Sequence, residues 1–266
     1  MSASARLAHQ AGLGWIPLGW VPVWQRNFGV WKKIALPSML GNLADPMIYM
    51  LGLGYGLGAL LPTMNGQPYV AFLASGILCA STMNAATFET LYSAFTRMKE
   101  QRTWEAILNT PLGLADVLTG ELVWAASKAL LSGTAILLVI GVMGFAHGTS
   151  ALFILPVIFL TGLAFAALGL LFTALSPSYD FFMYYFTLFI TPMTLISGVF
   201  FPVDQLPVWL KLIGQMLPLA HSIALIRPLL AGQCPPHLLF SLISLLAITL
   251  TAWMIALILL KRRLMR

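Results

Sequence analysis

The residues of this chain able to do chemistry are few and sit in unusual places. Asp45, Glu89 and Lys128 each fall inside an apolar run. An ionisable group in hydrocarbon is costly and normally faces protein, water or an opposite charge. Counted at about 1.5 Å per helical residue from the cytoplasmic ends of their helices, all three lie roughly 10 to 14 Å deep. Matching depth predicts that Lys128 pairs with one or both carboxylates and ties three helices together; independent snorkelling to the inner interface is the alternative. The same trio would suit an ion-coupled secondary transporter, although no charged series continues through the later apolar runs and the two halves show no inverted repeat.

Other chemistries are poorly supplied. His9, His147, His221 and His237 are scattered and share no metal-ligand spacing with Cys, Asp or Glu, which argues against a metal site or an intramembrane enzyme. No Gly-Lys dipeptide occurs, so a phosphate-binding P-loop is not expected. Any use of ATP and Mg must come from another chain, and no cofactor is expected on this one. Cys79 lies in an apolar run and Cys234 outside one, which predicts no disulfide.

The densest charge lies in residues 97–111, RMKEQRTWEAILNTP. Arg102 and Glu105 are one helical turn apart, and Ile107 and Leu108, with Trp104, are poor residues to leave in water. The pattern predicts helix through Arg97 to Leu108. A break at Asn109 follows, with Thr110 as a helix cap and Pro111 opening a short segment that ends near Gly120. A structured knob is expected rather than a solvated charge run.

Those residues need positioning elements, and composition names their class. With 59% hydrophobic and 8% charged residues and a mean hydropathy of +0.90, the chain has too little charge to cover a soluble surface. A hydrocarbon core of about 30 Å needs about 20 helical residues. Six runs qualify: Leu36–Leu61, Val70–Phe95, Glu121–Ala146, Leu152–Leu175, Phe181–Phe201 and Leu238–Leu260. The fold class is all-α, a polytopic membrane protein with six transmembrane helices; the period-2 alternation of an outer-membrane barrel is absent.

Basic residues accumulate in short cytoplasmic segments. Arg6, Arg26, Lys32 and Lys33 precede the first span, Arg97, Lys99 and Arg102 follow the second, and Lys261, Arg262, Arg263 and Arg266 end the chain; apart from Lys128 within a span, only Lys211 and Arg227 fall outside these segments. Both termini and the 97–111 patch are therefore expected in the cytoplasm. The net charge of +6 then reflects topology and attraction to anionic lipid, not nucleic acid. No signal peptide is expected.

Two regions frame the spans. In residues 1–35, Trp20, Trp24, Phe28, Trp31 and Ala35 form a helical stripe, which predicts an amphipathic interfacial helix on the cytoplasmic leaflet, with packing on a partner protein as the alternative. The membrane domain, 36–266, carries a cytoplasmic loop at 96–120 and an outer segment at 202–237. Pro202, Pro207, Pro218 and Pro228 break that outer segment, and Trp209, Leu212, Ile213, Met216 and Leu217 mark a short helix within it. Two short helices dipping into the outer leaflet fit this pattern, with non-helical backbone shielded by protein or water. Gly52 with Gly56, and Gly54 with Gly58, are spaced for close helix approach. Phe182, Tyr184 and Tyr185 crowd the fifth span, where an aromatic belt and a substrate path are both open readings.

TWEAILNTP, residues 103–111, resembles the cytoplasmic signature of ABC-2 type export permeases, Thr-x-Glu-x-apolar-Leu-x-Thr-Pro after the second span. GNLADPMIYMLGLGYGLG, GELVWAASKA, LSPSYDFF, GVFFPVDQLP and LPLAHSIALIRPLL extend the resemblance over most of the chain. It implies a homodimer of six-span subunits served by a separate cytoplasmic ABC ATPase. By the same resemblance, Arg102, Thr103, Trp104, Glu105, Ile107, Leu108, Thr110 and Pro111 form a coupling helix that seats in the ATPase, and the segment before the last span is re-entrant. The implied cargo is an amphiphile, oligosaccharide or lipo-oligosaccharide, and permeases of this type also export drugs and polysaccharides.

Overall fold

Long apolar runs with helix-compatible residues satisfy their backbone groups internally, and the computed structural model of the chain is accordingly helical. It describes residues 18–61, 63–64, 66–146 and 149–264, so the expectations placed on Arg6, His9, His147 and Arg266 fall outside the described residues. Helix α1, Trp20–Trp31, leads through a tight turn into α2, Ala35–Gly56. A two-residue hairpin, Thr63–Met64 against Gln67–Pro68, precedes α3, Tyr69–Phe88, whose helical path continues to Glu100. Then come α4, Thr103–Leu108; α5, Leu114–Val142; α6, Ile154–Leu175; and α7, Phe181–Ile196. Helices α8, Val208–Met216, α9, Pro218–Leu230, and α10, Leu238–Leu264, complete the described chain.

Four helical paths are long and apolar enough to cross a membrane: α3 with its extension, α5, α6 and α10. Helices α8 and α9 meet at 83° and together count as a fifth, broken path. Helix α2 has the length, 22 residues or about 33 Å, but Asn42, Asp45 and Pro46 make it less apolar. Helix α7 is apolar but shorter. The six expected runs thus divide into four that satisfy both criteria and two that satisfy one.

Helix α6 packs against α3, α5, α9 and α10, and small residues set its approach. A Cβ on Gly169 would sit 2.0 Å from the Thr90 hydroxyl of α3, so a larger residue there would force the two helices apart. Gly52 and Gly56, expected to admit a neighbour, have nothing within 4 Å of a Cβ and lie on an open face of α2.

Three punctuation points differ from expectation. The helical path from α3 stops at Arg102, whose φ of 48° is left-handed, rather than running on to Leu108. Thr110 and Pro111 do not open a helix, because α5 starts at Leu114. There the Asp116 carboxylate accepts the Gly113 N–H at 3.0 Å and caps the end. Helix α5 then runs unbroken past Gly120 into the membrane.

Candidate functional site

Glu89 lies where α3 widens. The N–H of Ala94 bonds the Glu89 carbonyl five residues back, and Gln101 does the same to Thr96, so both stretches are π-helical. Each such turn absorbs an extra residue. In a regular helix, residues eight apart differ by about 80° in facing, whereas seven make about two full turns. One absorbed residue therefore brings Arg97 onto the Glu89 face, and Arg97 Nη2 donates to Glu89 Oε1 at 2.9 Å.

From that pair a buried network spreads across four elements. Lys128 Nζ on α5 reaches Glu89 Oε2 at 2.9 Å, and the Trp124 indole donates to Glu89 Oε1 at 2.9 Å. Arg97 also pairs with Glu121, its Nε donating to Oε1 at 2.9 Å. Glu121 in turn accepts the Trp104 indole N–H of α4 at 3.0 Å and the Asn27 amide of α1 at 3.1 Å. Two carboxylates and two cations balance. Every carboxylate oxygen has a donor, as buried charges require to offset desolvation.

Helix α1 is fitted to this site. A Cβ on Gly120 would lie 2.5 Å from Val23, so glycine in α5 is what lets α1 settle. Trp24 and Trp31 pack on Trp124 with ring centroids 6.4 and 5.8 Å apart, and Trp24 donates to Ser127 at 3.1 Å. The aromatic stripe expected to lie on lipid is therefore turned partly onto α5, and the residues of α1 left exposed are Pro22, Gln25, Phe28, Gly29 and Val30. At the edge, Arg26 reaches the Thr103 hydroxyl at 3.3 Å. Burial and the neighbouring Arg97 guanidinium hold Arg26 below the ordinary arginine value, with Glu121 opposing them.

The knob residues separate into two roles. Trp104 is fully buried within its own chain and cannot be a surface contact. Ile107 and Leu108 are half-buried against the core. Arg102, Glu105, Ala106, Asn109, Thr110 and Pro111 are exposed, Thr103 partly so, and the anticipated Arg102–Glu105 pair is not formed. Beside the knob, the 176–180 loop is held by Lys99, which donates to the Pro177 carbonyl at 2.6 Å, by a Thr96–Tyr179 hydroxyl bond of 2.8 Å, and by Arg263 on the Ser176 carbonyl at 2.8 Å.

The expected three-residue charge cluster divides. Glu89 and Lys128 meet, but Asp45 makes no ion pair among the described residues and is exposed on α2. It lines a cavity of about 540 Å³ between α2, α3 and α7. Phe182 and Tyr185 do not reach that cavity. Phe182 is buried against Phe95 and Tyr92 at 5.2 and 5.3 Å, and Tyr185 against Phe172 at 4.1 Å. Tyr184 is exposed on another part of α7. Phe186, Ile190, Thr191, Thr194 and Leu195 line the cavity instead. Sequence reasoning missed Glu121, Arg97 and Asn27, because Glu121 and Arg97 sit at span ends, where charge is ordinary, and the α-helical period hides the Glu89–Arg97 register.

The chain as a whole is similar to proteins of one family. Residues 21–231 match the ABC-2 type transporter family. Nodulation protein J of Rhizobium leguminosarum bv. viciae is 52% identical over 258 residues, covering 96% of this chain and 100% of the relative. Nodulation protein J of Sinorhizobium fredii is 56% identical over 80% of this chain and 81% of its own length. More distantly, the inner membrane transport permease YadH of Escherichia coli is 22% identical over 80% of this chain and 82% of its own. A polytopic helical chain matched over most of its length in this way belongs to the ABC-2 type transporter family, as a membrane-embedded transport subunit and not a catalytic one.

Proposed function

We propose that the chain is the permease subunit of an ATP-driven exporter, working as a homodimer of six-span subunits with α2 and α7 as the two further spans. The observation that carries the reading is the construction of α4: Trp104 is bonded to Glu121 inside the charge network, while Arg102, Glu105, Ala106 and Asn109 face outward. A surface held in this way can pass force. Movement of α4 is felt at once by α1, α3 and α5, because all four share the carboxylates of Glu121 and Glu89.

The partner is a cytoplasmic ATPase of the nodulation protein I kind, which carries the ATP and Mg that this chain has no motif to hold. Its closure pushes α4 and rocks the spans as rigid bodies. The 176–180 loop, fixed to the same end of α3 by Lys99 and Thr96, adds a second contact. Residues 1–35 and both termini lie on the cytoplasmic side of the inner membrane, the domain 36–266 spans it, and the bent α8–α9 pair within 202–237 forms a re-entrant outer unit. The likeness to nodulation protein J supports an amphiphilic oligosaccharide or lipo-oligosaccharide as cargo, moved outward.

The test replaces the exposed residues and spares Trp104. A triple Arg102→Ala, Glu105→Ala, Asn109→Ala variant is expected to reach normal protein levels yet to uncouple ATP hydrolysis from export, or to release the ATPase from membranes. Normal export by that variant overturns the assignment.

A further inference from the structure

The wide turn that brings Arg97 to Glu89 has no local cause. Residues 89–101 read ETLYSAFTRMKEQ, with neither proline nor glycine to disturb a regular helix. In an α-helix the Ala94 N–H would bond the Thr90 carbonyl, four residues back. Here it bonds the Glu89 carbonyl instead, which releases that of Thr90, a fully buried residue. A buried carbonyl left without a donor is costly, so a group outside α3 must supply one.

Helix α6 does so. The Thr173 hydroxyl donates to the released Thr90 carbonyl at 2.7 Å. Other helical threonines behave differently: Thr82, Thr134, Thr161, Thr194 and Thr249 each return the hydroxyl to the carbonyl four residues back in their own helix. One turn before Thr173, on the same face of α6, stands Gly169, whose missing side chain leaves room for the Thr90 hydroxyl. Glycine admits the wide turn and threonine bonds it. Arg263 caps this end of α6, its Nη1 donating to the Thr173 and Ala174 carbonyls at 3.2 and 3.1 Å, so the donor is itself held in place.

We infer that Thr173 is a positioning residue of the charge network: its hydroxyl, with the space at Gly169, fixes the extra residue of α3 ahead of Arg97 and so turns Arg97 toward Glu89 and Glu121. Without that bond the helix gains by returning the Ala94 N–H to the Thr90 carbonyl. Glu89 and Arg97, eight apart in a regular helix, then differ by about 80° in facing and the pair is lost. Thr173 makes no hydrogen bond to Arg97 or to either carboxylate and acts through the backbone of α3. Its consequence for transport rests on the exporter reading, in which the network carries the movement of α4.

The register is tested on the full chain in lipid nanodiscs without any ATPase, by thermal midpoint and folded yield. Thr173→Val keeps the shape and removes the donor, and is expected to lower the midpoint. Thr173→Ser keeps the donor and is expected to restore most of it. Two further results separate positioning from packing. Thr173→Val combined with Arg97→Ala is expected to lose clearly less than the sum of the single losses, because Arg97 has already left its partners; changes at sites without a shared contact add. Deleting the half-buried Ser93 removes the surplus residue and leaves Glu89 and Arg97 seven apart, about two full turns. That deletion is expected to fold in the parent and to rescue Thr173→Val. Additive losses, a Ser93 deletion that does not fold, or no rescue overturns the inference. Should Thr173→Val or Arg97→Ala not fold on its own, rescue of Thr173→Val by the deletion decides.

With an ATPase present, Thr173→Val is expected to lower export per ATP hydrolysed about tenfold, the shift between two registers that one hydrogen bond carries, and Thr173→Ser to stay near the parent. Normal export by Thr173→Val overturns the assignment and leaves the exporter reading, tested on the exposed face of α4, standing. Rescue by the Ser93 deletion together with normal export from the α4 triple variant removes the exporter reading alone.

Discussion

Two polar regions of this molecule follow opposite rules. Around Glu89 and Glu121, every carboxylate oxygen accepts from a cation, an indole or an amide, and opposite charges are matched in number. In the cavity between α2, α3 and α7, Asp45 has no ion pair among the described residues and Asn84 Oδ1 has no hydrogen bond. A satisfied network has nothing left to offer a ligand, so its bonds act between helices. An unsatisfied one holds the helices less firmly. The difference separates a polar region whose bonds tie four helices together from one whose groups bind no neighbour.

The sharpest way to break that contrast is to remove Glu121. Glu121→Ala deprives Trp104, Asn27 and Arg97 of an acceptor and leaves a buried guanidinium undercompensated. A loss of about 3 to 5 kcal/mol is expected, read as a large fall in thermal midpoint or in folded yield. Should Glu121→Ala unfold no earlier than the parent, the network is not holding the helices. Reversing the pair by Glu89→Lys with Lys128→Glu should recover only part of the damage of either single change, since Arg97 would then face a cation. Full rescue, measured by folded yield, would mean that Arg97 contributes little.

Trp104→Phe is a smaller cut. It keeps the ring and removes one hydrogen bond to a charged acceptor, about 1.5 to 3 kcal/mol. Export per ATP hydrolysed should fall by a larger factor than folded yield, because α4 remains docked but loses its tie to α5. Smaller still, Arg102→Ala or Glu105→Ala should shift stability by no more than about 0.5 kcal/mol while lowering ATPase retention on membranes. At the far end, Asn84→Leu should not destabilise at all; a fall in thermal midpoint would place Asn84 with the satisfied network and erase the contrast.

Part of this was legible before any coordinates. Composition and run length placed the helical membrane class, and the tryptophans and lysines before α2 marked α1. The prolines at 207 and 218 marked the starts of α8 and α9. Lys128 and Glu89 were readable as partners because charges at equal depth in adjacent helices have few other options. Asp45 looked equivalent by depth alone, but depth carries no azimuth, and α2 turns it toward α7 instead. Trp104 was legible as a residue poor to leave in water, but what it packs on was not; the acceptor that holds it inside, Glu121, lies 17 residues along the chain.

The sequence by itself determined the solvent this protein lives in, since hydropathy is a sum over residues and needs no fold to be evaluated. It also determined the family, because the ordered segments that carry the likeness are local strings. Only the tertiary structure decided which charges meet and which stay open. That choice depends on helix rotation, on the extra residue in the π-helical turns after Glu89, and on the approach of α1 that Gly120 permits. Such rotations are set by packing between residues far apart in the chain, and no local pattern encodes them.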